Sequence, residues 1–469
     1  LYFFVKNTFL GIIFETGKLN HIFIMQLSPL IPVIKVDETK CVNCHACITA
    51  CPVKLCNDGS GTTVVVNHDM CIGCGKCISA CTHNARTYID DFSKFISDII
   101  ARKKIIAISA PAIAVGFPDM YLQLNTWLKE LGVEAIFDVS FGAELTTKSY
   151  IDYIKTEKPK TVIAQPCAAI VTYIQIYKPE LIQYLAPVDS PMLHTIKMIK
   201  EFYPQYKNHK IAVLSPCMAK KREFEETGLG DYNIGHKSIF DFLEKEKINL
   251  KNYHGTNFDN PDAERAVMFS SPGGLMKTVE RTIPDISDKT RKIEGNPLVY
   301  EYLDTLNNSI VTGKAPLLID CLSCEQGCNS GPLTVSNEKT FDEIDFLIKK
   351  RSESLKNKYL EKSENNADLS KKNINTILER YSKKDLYNRK YINKKDNNSI
   401  KKPSAMQLIS IFELMHKRTQ EDIKNCSSCG YSSCEKMAVA IHNKLNRPEN
   451  CHFYLQKESE ISNEETRKS

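Results

Sequence analysis

The chain has 469 residues, of which 42% are hydrophobic and 25% charged, with a formal net charge of +6 and 18 cysteines. This length exceeds one domain, so a large core with one or two small modules is expected, and the ordinary apolar content fits a globular chain rather than a disordered or fibrous one. The cysteines sit in tight clusters between long cysteine-free stretches, a pattern that favours metal binding in a reducing cytoplasm over a disulfide scaffold.

Composition divides the chain into five regions: 1–33, 34–90, 91–350, 351–402 and 403–469. The first, "LYFFVKNTFLGIIFETGKLNHIFIMQLSP", is apolar but broken by Lys6, Glu15, Lys18 and His21. It has no small-residue cleavage site and reads neither as a signal peptide nor as a membrane span. Leu1 opens the chain and Met25 precedes the first coherent segment. Residues 1–33 are therefore read as an unstructured leader upstream of a start near Met25, and no membrane association is expected.

In 34–90, "CVNCHACITACP" places Cys41, Cys44, Cys47 and Cys51, and "CIGCGKCISACT" places Cys71, Cys74, Cys77 and Cys81. The doubled run resembles the bacterial two-cluster ferredoxins, in which the fourth cysteine of each run crosses to the other cluster. The resemblance implies one four-iron cluster on Cys41, Cys44, Cys47 and Cys81 and a second on Cys71, Cys74, Cys77 and Cys51, forming an electron wire. Zinc sites seldom use this spacing. Thr82 stands where the motif usually has proline, and Cys56 is left over as a free thiol.

Region 91–350 alternates short apolar runs with helical patterns. "KIIAISAP" (104–111) precedes a helical segment near 119–131, "EAIFDVS" (134–140) precedes 143–157, "TVIAQP" (161–166) precedes 168–185, and "KIAVLSP" (210–216) precedes a charged helix. This rhythm predicts βαβ units and a largely parallel sheet, whose ligands gather beyond the carboxyl ends of the strands. Cys167, Cys217, Cys324 and Cys328 each fall just past such an end. Three distant segments are thus expected to bring four thiolates to one edge of the sheet.

Segment 351–402 carries 15 Lys/Arg against 7 Asp/Glu, more than the whole net charge. It reads as a solvated basic connector with helical pieces, and no nucleic-acid partner is expected. The last region places Cys426, Cys429, Cys434 and Cys451 in "CSSCGYSSCEKMAVAIHNKLNRPENC". Cys434 opens an apolar helix and Cys451 follows a proline-containing turn, so four ligands can close on one metal centre. The spacing resembles a small four-iron cluster domain of electron-transfer and sensory proteins, with structural zinc as the alternative.

The middle motifs resemble the catalytic domain of iron-only hydrogenases. "SPCMAKKRE" (215–223) is similar to that family's Pro-Cys-x-x-Lys-x-x-Glu stretch, "SCEQGCNSGP" (323–332) to its Cys-x-x-x-Cys segment, "SAPAIAVGF" (109–117) to its Ala-Pro-Ala-Val segment and "FGAEL" (141–145) to its Phe-x-Ala-Asp-Leu, and "QPC" (165–167) falls where the family has a double cysteine. The fold expected is therefore α/β and α+β multidomain: a two-cluster ferredoxin domain, a hydrogenase-type α/β catalytic domain with parallel sheets, and a small C-terminal iron–sulfur module.

The resemblance implies three four-iron clusters, two N-terminal and one C-terminal, and an H-cluster. In the H-cluster, Cys167, Cys217, Cys324 and Cys328 would bind four irons, and Cys328 would bridge to a diiron unit carrying CO and cyanide. Lys220 would donate to a cyanide nitrogen, as suits a compact ammonium; Glu223 would support the motif and Pro111 would line the pocket. Cys321 has no counterpart and reads as a buried thiol. The implied reaction is the reversible conversion of H2 into protons and electrons, with ferredoxin or another redox protein as partner.

The proton relay departs from the family pattern. Pro166 stands where productive members carry the cysteine proton donor, Ser149 and Tyr150 replace an acidic pair, Lys277 replaces an acid and Ser215 replaces a methionine. A missing donor costs about 10² to 10⁴ in rate, so slow turnover used for sensing H2 or redox state is the leading expectation. The C-terminal module is similar to that of sensory-type members, and a signalling kinase or phosphatase would carry the output. The alternatives are a metabolic hydrogenase with a proton route through water and Glu144, and a non-catalytic iron–sulfur electron-transfer or assembly protein, against which Cys328 and Lys220 argue.

Overall fold

The computed structural model describes residues 2–5, 8–15, 18–25, 29–336 and 339–468. The chain forms two compact units, one of residues 1–89 with 394–469 and the other of residues 90–393.

The unit of residues 90–393 is built on two parallel sheets. One has the strand order Tyr232–Gly235, Lys210–Ser215, Ile105–Ser109, Ile136–Asp138. The other has the order Val162–Ile163, Leu318–Leu322, Thr290–Glu294. Sheets covered on both faces need continuous apolar strands, and every residue of Ile105–Ser109 and Leu318–Leu322 is buried. Alternate side chains divide between the faces: Ile106 and Ile108 pack with Phe137, Phe141, Leu193 and Val213, whereas Ile105 and Ala107 pack with Leu124, Trp127, Leu214 and Tyr232.

Expected helices appear at Tyr121–Leu131, Val139–Glu157 and Lys220–Thr227. The one expected over 168–185 ends at Tyr177 and gives way to a 3₁₀ turn, Pro179–Tyr184, because Pro179 has no N–H to continue the ladder. Capping fixes two entries to the core. Asp138 accepts from the Ser140 N–H at 2.8 Å, and Ser190 caps a helix, Pro191–Phe202, that carries proline at its first position.

Three expectations are corrected. The single sheet that the apolar rhythm alone predicts is two sheets, as the resemblance implied, because local periodicity sets strand direction but not which distant strand becomes the neighbour. Segment 351–402 has the helical pieces expected, Ala367–Arg380 and the end of Phe341–Glu361, which starts from a Thr340–Glu343 capping box, but it is not solvated throughout. Tyr359, Ile374, Leu378 and Tyr387 are buried in the same core as Phe141 and Leu193; their helical spacing was outweighed in composition by lysine and asparagine. The leader, expected to be unstructured, carries strands Tyr2–Val5, Thr8–Glu15 and Lys18–Met25 in antiparallel register, consistent with its aromatic and β-branched content.

In the unit of residues 1–89 and 394–469, strand Ile34–Val36 pairs with Arg86–Tyr88 and Asn57–Asp58 with Val65–Val66, both antiparallel, beside short helices Ala46–Ala50 and Lys76–Ser79. Helices Ala405–Leu414, Cys434–His442 and His452–Lys468 belong to the same unit. The Gly59 N–H donates to the Leu445 carbonyl at 2.8 Å, and Asn450 Nδ2 to the Gly59 carbonyl at 3.0 Å. Among the described residues no helix is long and apolar enough to cross a membrane.

Candidate metal centres

Two small cavities occupy the 34–90 segment. Cys41, Cys44, Cys47 and Cys81 line one. Cys51, Cys71, Cys74 and Cys77 line the other, together with Cys56. Each cavity takes three cysteines from one run and its fourth from the other. The tight turn after the second cysteine of each run needs left-handed backbone, at Gly75 (φ 81°) and at His45 (φ 62°). Glycine adopts it freely; His45 is buried there with Nε2 3.1 Å from Asn43 Oδ1.

Arg86 is 3% exposed and lines both cavities. It donates through Nη1 to Asn57 Oδ1 at 3.0 Å and through Nη2 to the Val64 carbonyl at 3.4 Å. Burial opposes its charge, but Cys77 and Cys47 outweigh this and hold it above the ordinary arginine value. Burial also pushes the Cys47 thiol up to about 11 and Cys77 up to about 12, with Arg86 opposing in both. Holding Cys47 and Cys77 as thiolates is favoured by a cationic occupant, which an iron core supplies.

In the C-terminal module Cys429, Cys434 and Cys451 are buried and Cys426 is exposed. Burial, followed by the charges of Cys451 and Cys426, raises Cys429. The Cys434 N–H donates to Asn425 Oδ1 at 2.8 Å, fixing the start of its helix.

The remaining centre joins loops from the two parallel sheets. Cys167 caps helix Ala168–Tyr177 after the Val162–Ile163 strand, and Cys217 follows Lys210–Ser215. Cys324 follows strand Leu318–Leu322, and Cys328 ends the short strand Glu325–Cys328. Close backbone approach holds the loops together. The Leu333 N–H donates to the Pro216 carbonyl at 3.1 Å, and a Cβ on Gly331 would stand 2.3 Å from the same oxygen.

Burial and then Cys167 push Cys217 up to about 11; burial, then Cys167 and Cys217, push Cys328 up to about 12; Lys220 opposes in both. Cys167, Cys217, Cys328 and Lys220 thus share one electrostatic neighbourhood. Cys321 is fully buried, with its Sγ 3.7 Å from the Ala164 carbonyl. Pro111 follows the Ile105–Ser109 strand, and its carbonyl accepts from Arg351 Nη1 at 3.2 Å.

Lys220 Nζ donates to Glu223 Oε2 at 2.5 Å, and Ser190 Oγ donates to the same oxygen at 3.0 Å. Arg389 Nη1 donates to Glu223 Oε1 at 2.5 Å and its Nη2 to Glu226 Oε1 at 3.1 Å. Burial alone would raise the Glu223 carboxyl, but Lys220 and Arg389 outweigh it and hold it below the usual carboxylate range. Arg389 and Arg351, which also donates to Asp138 Oδ2 at 2.6 Å, escaped the sequence reading. The available signal was their type: arginine is rare among the basic residues of 351–402, and it supplies the forked contacts that lysine cannot.

Tyr150 is fully buried, and its Oη accepts the Gln165 N–H at 3.0 Å, beside Pro166. Ser215 Oγ accepts from the Cys217 N–H and donates to the Cys217 carbonyl, both at 3.1 Å, so it shapes the Pro216–Cys217 turn. Ser149 lines a groove with Lys148, Asp152 and Arg389, and its Oγ lies 3.1 Å from His194 Nε2.

His194 Nδ1 donates to the Ser190 carbonyl at 3.2 Å, and burial pushes this imidazole down to about 3. The line Ser149, His194, Ser190, Glu223, Lys220 therefore breaks at Ser190, where His194 meets the carbonyl and Glu223 the hydroxyl. Glu144, considered as a proton route, is pinned instead. Its Oε1 accepts the N–H groups of Glu264, Arg265 and Ala266 at 2.8 to 3.0 Å, and Oε2 pairs with Arg281 at 2.8 Å.

Comparison with known proteins matches residues 103–332 to the family described as "Iron only hydrogenase large subunit, C-terminal domain". Residues 33–82 match a 4Fe-4S dicluster domain and residues 424–453 a putative Fe-S cluster domain. The chain is 23% identical over 386 residues to iron hydrogenase 1 of Clostridium pasteurianum, covering 67% of each chain. It is 24% identical over 284 residues to a periplasmic Fe hydrogenase large subunit of Nitratidesulfovibrio vulgaris, covering 53% of this chain and 67% of that one. A solved FeFe-hydrogenase variant from Chlamydomonas reinhardtii aligns with 65% of this chain and 100% of its own, at 15% identity and a TM-score of 0.46.

Proposed function

Because this chain belongs to the iron-only hydrogenase family, and with it carries iron–sulfur clusters, we propose that it reacts reversibly but slowly with H2 and serves as a sensor of H2 or redox state. An H-cluster would supply the redox chemistry that interconverts H2 with protons and electrons. Cys167, Cys217, Cys324 and Cys328 would hold this cluster, with Cys328 shared between its two parts. Lys220 would offer one ammonium N–H to a cyanide ligand while Glu223 holds another. Glu223, fixed by Arg389 and Ser190, holds that ammonium in place, and Pro111 lines the pocket.

The chain's remaining cysteine sets serve electron transfer. Cys41, Cys44, Cys47 and Cys81 hold one cluster, Cys71, Cys74, Cys77 and Cys51 a second, and Cys426, Cys429, Cys434 and Cys451 a third. A ferredoxin or other redox protein exchanges electrons with them, and a kinase or phosphatase in the cytoplasm receives the signal.

The observation that carries this reading is the pairing of a retained ligand set with an impaired proton line. Cys328 and Lys220 share a neighbourhood with Cys167 and Cys217, whereas Pro166 offers no proton and the line from Ser149 breaks at Ser190. The test restores a donor. Pro166→Cys is expected to raise H2 evolution by up to about 10²-fold, the low end for one well-placed group. An unchanged rate in a fully matured variant contradicts the claim that proton supply limits turnover.

A further inference from the structure

The second cavity of the 34–90 segment is lined by five cysteines, one more than a four-iron cluster uses: Cys51, Cys71, Cys74, Cys77 and Cys56. Cys56 is 2% exposed and its Sγ lies 3.7 Å from Cys51 Sγ. Its position is fixed from outside: the neighbouring Asn57 donates through Nδ2 to Cys56 Sγ at 3.4 Å, the Asn67 N–H donates to the Cys56 carbonyl at 2.8 Å, and Arg86 holds Asn57 at 3.0 Å. A thiol placed only to fill the core would face apolar side chains. This one faces the cluster side of the cavity, next to the cysteine that arrives from the other run.

We infer that Cys56 is a reserve ligand for the second cluster, able to exchange with Cys51 at the same iron. The exchange conserves atoms and charge: the Cys56 sulfur forms a bond to iron as the Cys51 sulfur releases it, and the Cys56 thiol proton passes to Cys51. No oxidant or reductant is consumed. Cys51 is the ligand that Cys56 can replace, because the two sulfurs lie 3.7 Å apart on one segment of chain, five positions from each other. The inference rests on assigning Cys51, Cys71, Cys74 and Cys77 to that cluster.

The test compares full-length chains reconstituted anaerobically, reading iron per chain and the spectrum of the reduced clusters. Cys56→Ala is expected to retain every cluster. Cys51→Ala, and Cys51→Ser, which keeps the volume, are expected to retain the second cluster with an altered spectrum. The double variant C51A/C56A is expected to lose it, with one cluster's worth of iron. Loss of the cluster in both Cys51 single variants overturns the exchange, and so does its retention in the double variant. Cys74→Ala separates the two claims: loss of the same cluster supports the underlying ligand set, and its retention sinks that set rather than the exchange alone.

Discussion

In the unit of residues 1–89 and 394–469, each ferredoxin-type cavity draws three cysteines from one short run and a fourth from a neighbouring run. In the unit of residues 90–393, the four candidate ligands come from loops between 167 and 328, carried by two separate sheets. Local spacing holds the first kind of site together. The second exists only if long-range packing brings the loops to one point, so residues that are not ligands matter more there.

Removing a ligand gives the largest effect. Cys217→Ala is expected to abolish CO and cyanide infrared bands after competent maturation, while iron at the ferredoxin-type centres persists because their cysteines belong to the other unit. Loss of all clusters together would show that the two units are not independent. Next comes a change that leaves every cysteine in place. Gly331→Ala puts a Cβ 2.3 Å from the Pro216 carbonyl; we expect about 1–3 kcal/mol of destabilisation and reduced maturation, measured by denaturant unfolding and infrared band intensity.

These contrasts explain how far the sequence could be read. The grouping of the ferredoxin-type cysteines about two cavities was legible because their spacing is a local property, and strands such as Ile105–Ser109 were legible because a continuous apolar run leaves few alternatives. The division into two sheets was not legible in the apolar rhythm, since Val162–Ile163 contributes only two residues and its pairing with Leu318–Leu322 depends on the whole fold. Arg389 was lost for a similar reason: a buried guanidinium lies within a stretch whose composition spoke for solvent, and only packing reveals Glu223 as its partner.

Glu223 sharpens the comparison from the electrostatic side. Glu223→Ala leaves Lys220 and Arg389 facing each other without their shared carboxylate, at a cost of about 3–5 kcal/mol, read as a lower midpoint in chemical denaturation. The folded Glu223 lies below its unfolded value, so its contribution is complete above the unfolded pKa and lost as pH falls through the folded one. In the other unit the corresponding buried cation is Arg86. Arg86→Gln is expected to lower the midpoint potentials of both ferredoxin-type clusters in an anaerobic redox titration, because it removes a positive charge that stabilises their reduced forms; a shift in only one cluster would contradict its position on both cavities.

The smallest expected effect concerns His194. Its folded pKa of about 3 lies below the unfolded value, so the unfolded chain binds the extra proton and stability falls with pH from about 6.5 downward, by up to about 1.4 kcal/mol per unit. His194→Gln should flatten the decline of the melting temperature between pH 6.5 and 5. An unchanged slope would place the acid sensitivity elsewhere.

The central claim is a retained H2-reactive centre with restricted proton supply. Its most direct test is infrared spectroscopy of the anaerobically matured protein under nitrogen and then under H2, with H2 evolution assayed on the same sample. The account predicts CO and cyanide bands that shift on exposure to H2 together with very low turnover. Bands accompanied by brisk evolution would contradict the restricted proton supply, and no such bands after competent maturation would remove the diiron centre itself.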